Sequence, residues 1–137
     1  MRMLVLGAGL QGCACAYDLL QRKDVERVTL ADIHPRQVAP FLKKAASRRL
    51  KLVPLDATRP AALARVLRGH DAAMCALPYY FNLAASRAAV TAGVHFSDLG
   101  GNTEIVQKQK KLDGAARRKG VSAARDGGLA PGMANAR

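Results

Sequence analysis

The stretch Met3-Leu-Val-Leu-Gly7-Ala-Gly9-Leu-Gln-Gly12 decides how the rest of the chain is read. Arg2 to Leu6 makes a short strand whose apolar residues are continuous rather than alternating, as when both faces of a sheet are covered. It runs directly into three glycines spaced Gly-x-Gly-x-x-Gly. From Leu10 to Leu20 a helix is expected, with Leu10, Ala14, Tyr17 and Leu20 near one side. A strand that turns into a helix through glycines brings unpaired backbone N–H groups and the positive end of a helix dipole to one point.

Outward from that turn the pattern repeats. A second strand is expected over Val25 to Ala31, ending at Asp32. His34-Pro35 can open a helix, although Pro40 should kink it or delay its start to about Pro40. A third strand, Leu50 to Leu55, ends at Asp56-Ala57, and Thr58 can cap a helix from Pro60 to Leu67. The fourth strand is expected over Asp71 to Leu77. Pro78-Tyr79-Tyr80-Phe81 is a connection, and Asn82 to Ala92 is a helix ended by Gly93. Val94 to Ser97 leads into Asp98-Leu-Gly-Gly-Asn102, a helix follows from Thr103 to about Lys119, and Val121 to Ala124 is the sixth strand. Strand and helix in strict alternation predict an α/β fold with right-handed crossovers: a Rossmann doubly wound parallel sheet of about six strands, order 3-2-1-4-5-6.

In such a sheet the glycines have separate tasks. Gly7 permits the tight turn, Gly9 lets the backbone approach a pyrophosphate, and Gly12 lets the helix pack close to the strand. Asp32 lies 20 residues beyond Gly12 at the end of the second strand, where a carboxylate can accept hydrogen bonds from a ribose. The expected cofactor-binding set is Gly7, Ala8, Gly9, Leu10, Gln11, Gly12, Asp32, Ile33, Asp56, Ala57, Leu77 and Pro78. Asp32 repels a 2′-phosphate and favours NAD over NADP; Arg36, just beyond it, is the counterweight. Asp56 has two readings, an acceptor for the adenine amino group or a turn residue capping the next helix. Tyr79 and Asn82 are expected to face a substrate, with aromatic packing under a partner domain as the alternative. Asp98 is the candidate catalytic carboxylate, with the alternative that it holds glycine-rich loop backbone.

Composition narrows the rest. The 137 residues suffice for one domain with a core, half of them are apolar, and 23% are charged, so a globular chain is expected. There is no apolar run of spanning length and no signal-peptide pattern, and a cytoplasmic location follows as the expectation. Cys13, Cys15 and Cys75 have no Cys-x-x-Cys spacing and read as reduced core thiols. His34, His70 and His95 form no metal-ligand spacing with them, so no metal is expected. The net charge of +12 raises the question of nucleic acid, and Lys43-Lys44, Arg48-Arg49 with Lys51, and Lys108 to Lys119 are basic runs. They lack interleaved aromatics for base stacking, which argues against that partner.

Several segments together resemble the saccharopine dehydrogenase-like family, and within it the bacterial lysine 6-dehydrogenases. They are Val5 to Gly12, Val28-Thr-Leu-Ala-Asp32, Gly69-His-Asp71, Ala92-Gly-Val-His95, Asp98-Leu-Gly-Gly101 and Asp126-Gly-Gly-Leu-Ala-Pro-Gly-Met133. Arg125 and Gly127 depart from the residues usual there. The resemblance implies an NAD(P)-dependent oxidoreductase acting on the C–N bond of an amino acid. It also implies that residues 1–126 form the dinucleotide-binding domain and that 127–137 begin a second, substrate-binding domain absent from this chain. The expected partners are then a small amino-acid substrate held with that second domain and a second copy of the chain. A truncated chain of this kind would be inactive alone. The rival expectation is a non-catalytic NAD-binding module that senses cofactor or scaffolds a partner.

Overall fold

The computed structural model describes residues 1–45 and 47–128. Its six strands are β1 (Arg2–Leu6), β2 (Arg27–Asp32), β3 (Leu50–Pro54), β4 (Ala72–Cys75), β5 (His95–Asp98) and β6 (Ala123–Ala124). Six helices connect them: α1 (Leu10–Gln21), α2 (Pro40–Ala45), α3 (Pro60–Leu67), α4 (Asn82–Ala92), α5 (Thr103–Lys110) and α6 (Asp113–Lys119). The sheet is wholly parallel in the order β3-β2-β1-β4-β5-β6, which is the doubly wound topology expected.

Alternate residues of β1 feed two separate core layers. Leu4 and Leu6 point toward α3 and α4, where they meet Leu63, Leu67, Ala85, Ala89 and Phe96. Val5 points the other way and packs with Cys13, Ala16, Leu20, Val28, Leu30 and Leu42 beneath α1 and α2. Both faces of the central strands are therefore dry, which is why their sequences are continuously apolar. The Arg49 guanidinium ties the layers' ends together. It donates to the carbonyls of Arg22 (3.0 Å) and Val25 (2.8 Å) and to that of Leu20, satisfying acceptors left open where α1 stops.

Several local expectations are corrected. The side of α1 that carries Leu10, Ala14 and Tyr17 faces outward, with Leu10 75% exposed; Gly12, Cys13, Ala16 and Leu20 face the sheet. Of the two starts left open for the second helix, the later is the one found: α2 begins at Pro40, which takes the first-turn position that suits proline. Thr58 does not cap α3, whose N-cap is Arg59. The helix expected from Thr103 to Lys119 is two helices. The amides of Lys111 and Leu112 bond only three residues back, to Lys108 (3.3 Å) and Gln109 (2.9 Å), and this tightening breaks the α-helical ladder. Gly114 lies inside α6 rather than at the break.

Candidate functional site

The glycine turn sits at the carboxyl end of β1, between β2 and β4, where the strand order reverses. Ligands of open α/β sheets bind at that point. The turn is clamped from both neighbours: Gly7 N–H donates to the Ala31 carbonyl (2.8 Å), and Ala76 N–H donates to that of Leu6 (2.8 Å). Gly7 has φ +100, and a Cβ there would lie 2.8 Å from the Ala76 oxygen. A Cβ on Gly12 would lie 1.8 Å from the Gly7 oxygen, so only a hydrogen lets α1 come this close. Gly9 is different. Its φ of −66 suits any residue, it is exposed, and a Cβ there would have no neighbour within 4 Å. The space above Gly9 is open and is bounded by the first turn of α1, which carries no acidic residue and no side-chain cap. That is the shape and charge a pyrophosphate requires.

Asp32 is brought to the same point. Its Oδ2 accepts from Ala8 N–H at 2.7 Å and its Oδ1 from His34 N–H at 2.8 Å. An ionised carboxylate has about four acceptor positions, so two remain open. Ile33 follows, 63% exposed, and borders a cleft of about 610 Å³ together with His34, Arg36, Leu52 and Pro54. Leu10, Gln11 and Pro78 are exposed around the turn, Ala8 is buried beneath it, and Leu77 and Ala57 are half-buried against the α3–α4 core layer. Asp56 serves as a turn residue: its Oδ1 accepts from the Thr58 hydroxyl (2.5 Å) and N–H (3.0 Å). Those two bonds, the hydroxyl's first, hold its carboxyl below the ordinary carboxylate range.

Of the two readings of Asp98, the geometry supports the one in which it holds glycine-rich loop backbone, and Asn82 turns inward to the same loop. Asp98 is fully buried. Its Oδ1 accepts from the N–H groups of Gly100 (2.8 Å) and Asp126 (3.0 Å), and its Oδ2 from Gln109 Nε2 (2.7 Å). A carboxylate so enclosed cannot reach a substrate; it fastens the loop after β5 to the loop after β6. Gly100 completes the joint. Its φ is +75, and a Cβ there would overlap the Asp126 carboxylate. Asn82 is only 2% exposed and donates through Nδ2 to the Gly100 carbonyl (3.2 Å), so it supports the same loop instead of facing a substrate.

Gln109, which sequence reasoning missed, is the third member of this network. It also donates to the Asn82 carbonyl (3.3 Å). Its one signal was its position four residues after Ile105, on the inward side of α5. Arg125, itself half-buried, forms an ion pair with the more exposed Asp113, which ties the end of β6 to α6.

Tyr79 remains available. It is 45% exposed on the short 3₁₀ turn Tyr79–Phe81, beside the Asp98–Gly101 loop, and its ring meets that of Tyr80 edge-on at 5.6 Å. The other titratable candidates lie elsewhere. His95 accepts from Ser122 N–H through Nδ1 (3.0 Å), and His70 shares a hydrogen with the Thr29 hydroxyl (2.8 Å). The three cysteines are unpaired; burial raises the Cys15 thiol to about 11 and the Cys75 thiol to about 12, which removes those two from thiolate chemistry. Among the described residues no cluster of His, Cys, Asp or Glu could hold a metal, and no helix is long and apolar enough to cross a membrane. The segment Leu129-Ala-Pro-Gly-Met133 lies outside the described residues.

The fold and the turn define a Rossmann-type NAD(P)-binding domain. Residues 3–124 match the family described as the saccharopine dehydrogenase NADP binding domain, and the chain belongs to that family. Solved structures share the fold. Saccharopine dehydrogenase (L-Glu forming) from Saccharomyces cerevisiae is 24% identical with a TM-score of 0.78, over 97% of this chain and 28% of that one. An enzyme of gentamicin A biosynthesis, solved with NAD, is 22% identical with a TM-score of 0.65, over 93% of this chain and 34% of that one. An NAD-binding oxidoreductase from Klebsiella pneumoniae is 20% identical with a TM-score of 0.63, over 91% and 34% respectively. This chain thus spans about a third or less of the length of these proteins.

Proposed function

We propose that the chain is the cofactor half of an oxidoreductase that acts on the C–N bond of an amino acid, lysine or saccharopine being the leading substrates. The observation that carries this reading is the latch between Ala8 N–H and the Asp32 carboxylate. It sets the Asp32 carboxylate beside an uncapped helix N-terminus and an open glycine, which supports reading it as the ribose-binding acid. Gly9, Leu10, Gln11 and Gly12 hold the pyrophosphate through backbone N–H groups, and Gly7 and Ala8 shape the turn. Asp32 and Ile33 hold the adenosine ribose and border the adenine, with Asp56 and Ala57 at the far side of that pocket. Leu77 and Pro78 lie under the nicotinamide ribose, and Tyr79 faces the substrate. The cofactor, when bound, supplies the hydride acceptor. The chain's own residues bind and orient it.

The Asp32 carboxylate supports NAD as the preferred cofactor over NADP. With Asp98 buried, we assign no general base among the described residues, and residues contributed by a second domain beginning near 127 complete the site. Proton removal from the substrate amine is then not a task of this chain. A cytoplasmic location and self-association of the uncovered face belong to the same reading. The test is to mix the purified chain with lysine or saccharopine and either cofactor and follow NADH or NADPH formation, with cofactor binding measured in parallel. Cofactor binding without turnover is expected. Robust turnover would refute the division of labour, and absence of cofactor binding would refute the reading altogether.

A further inference from the structure

A second cleft, of about 410 Å³, runs between the sheet and α3, from the amino ends of β1 and β2 along β3 to Pro54 and Leu55. Pro54 borders both this cleft and the one beside Ile33, but the cationic residues stand toward the amino ends of the strands and the last turn of α3. Five cations converge on it from separate elements. Arg2 opens β1, Arg27 opens β2, Lys51 is in β3, Arg65 is in the last turn of α3, and Arg68 follows that helix. No carboxylate lines the cleft. Among the described residues only Arg2 of the five has an acidic partner. Asp71 accepts its N–H at 2.5 Å and lies 3.8 Å from its guanidinium, at an exposed pair that leaves most of the positive field in place.

The floor is built rather than incidental. Thr29, 3% exposed, is hydrogen-bonded to His70 Nε2, and His70 Nδ1 is a buried nitrogen without a hydrogen-bond partner. Burial, with the charges of Arg2 and Arg27 adding to it, holds the imidazole below its ordinary range. Val53, Leu55 and Val66 supply an apolar wall.

Cations of like sign repel one another unless an anion shares them, and guanidinium groups match phosphate oxygens in a bidentate fork. A groove for a nucleic-acid strand would carry aromatic platforms for its bases; this cleft has none and is bounded on one side by α3. We propose that its basic end, formed by Arg2, Arg27, Lys51, Arg65 and Arg68, is a binding site for a small molecule carrying two or more phosphate groups, filled independently of the dinucleotide.

Inorganic tripolyphosphate is the probe, with ATP as a second arm and duplex DNA as a third. Calorimetric titrations of the whole chain are run with NAD present in excess, at an ionic strength of about 0.15 M so that screening is constant. Lys51→Ala combined with Arg65→Ala removes two exposed cations, and circular dichroism checks that the fold is kept. The expected result is tripolyphosphate binding, weakened about tenfold or more in the double variant, with NAD affinity unchanged. Tighter binding of ATP would indicate that the apolar wall takes a nucleoside. No binding of either phosphate, binding that NAD abolishes, binding that the double variant leaves intact, or binding of DNA alone would each overturn the proposal.

Discussion

Gly9→Ala and Gly12→Ala separate the two tasks of the glycine turn. At Gly12 the added methyl would lie 1.8 Å from the Gly7 oxygen, where an ordinary contact is 3.4 Å or more. The first turn of α1 must therefore move outward by about 1.6 Å, the difference of those two distances. Overpacking of that kind costs about 1–3 kcal/mol, and at about 3–5 °C per kcal/mol for a domain of this size it lowers Tm by roughly 3–15 °C.

At Gly9 the methyl meets nothing within 4 Å, and φ −66 needs no adjustment. Alanine is a poorer N-cap than glycine, but it also reduces the entropy of the unfolded chain. The two terms oppose at about 0.5–1 kcal/mol each, so Tm should stay within roughly 4 °C of the parent. The methyl does occupy the space over which a pyrophosphate would approach. Losing one charge-assisted hydrogen bond of about 1.5–3 kcal/mol weakens NAD binding about 10- to 100-fold. Thermal melts and NAD titrations on both variants make the comparison. The reasoning is refuted if Gly9→Ala loses as much stability as Gly12→Ala, or if it binds NAD as tightly as the parent.

Three further outcomes are expected. Asp32→Ala weakens NAD binding and narrows the gap to NADP; an unchanged preference in paired titrations would contradict the ribose assignment. Asp98→Ala leaves the donors of Gly100, Asp126 and Gln109 without their acceptor, costing about 3–5 kcal/mol. A denaturant melt that barely shifts would show that the carboxylate is not the joint between the two loops. His70 is held below its ordinary range by burial, so the unfolded chain binds the extra proton first. Its contribution to stability is present above the unfolded pKa of about 6.5 and declines as pH falls through the folded value. Between pH 7 and 5 the parent should lose more Tm than His70→Gln, and parallel slopes would count against this.

How much was legible follows from which signals were local. Strand order, the uncapped α1 N-terminus and the position of Asp32 rest on motif spacing and chain alternation, both readable along one dimension. The inward side of α1 was legible too, though it was passed over. Gly12 must touch the strand, so Ala16 and Leu20 at four-residue steps must face inward with it. The break between α5 and α6 left no trace, because Lys111 and Leu112 are compatible with a continuous helix and only two three-residue bonds separate the segments.

The two readings of Asp98 could not be separated in the sequence for a physical reason. Its place at the carboxyl end of β5 is where a reactive carboxylate would stand, but Gln109 and Asp126, 11 and 28 residues away, turn it inward. No pattern in the chain links those three. The basic cleft was likewise invisible, since Arg2, Arg27, Lys51, Arg65 and Arg68 are scattered in sequence and meet only when the sheet assembles.

The central claim is that a dinucleotide lies across the glycine turn with its ribose on Asp32. Titrating NAD into the isotope-labelled chain and following backbone amide resonances tests it directly. The account predicts shifts concentrated at Ala8 to Gly12, Asp32 to His34, and Leu77 to Tyr79, with the amides at the amino ends of the strands unmoved. Absence of shifts in the glycine turn, or shifts confined to the Arg27–Lys51 end of the sheet, would contradict it.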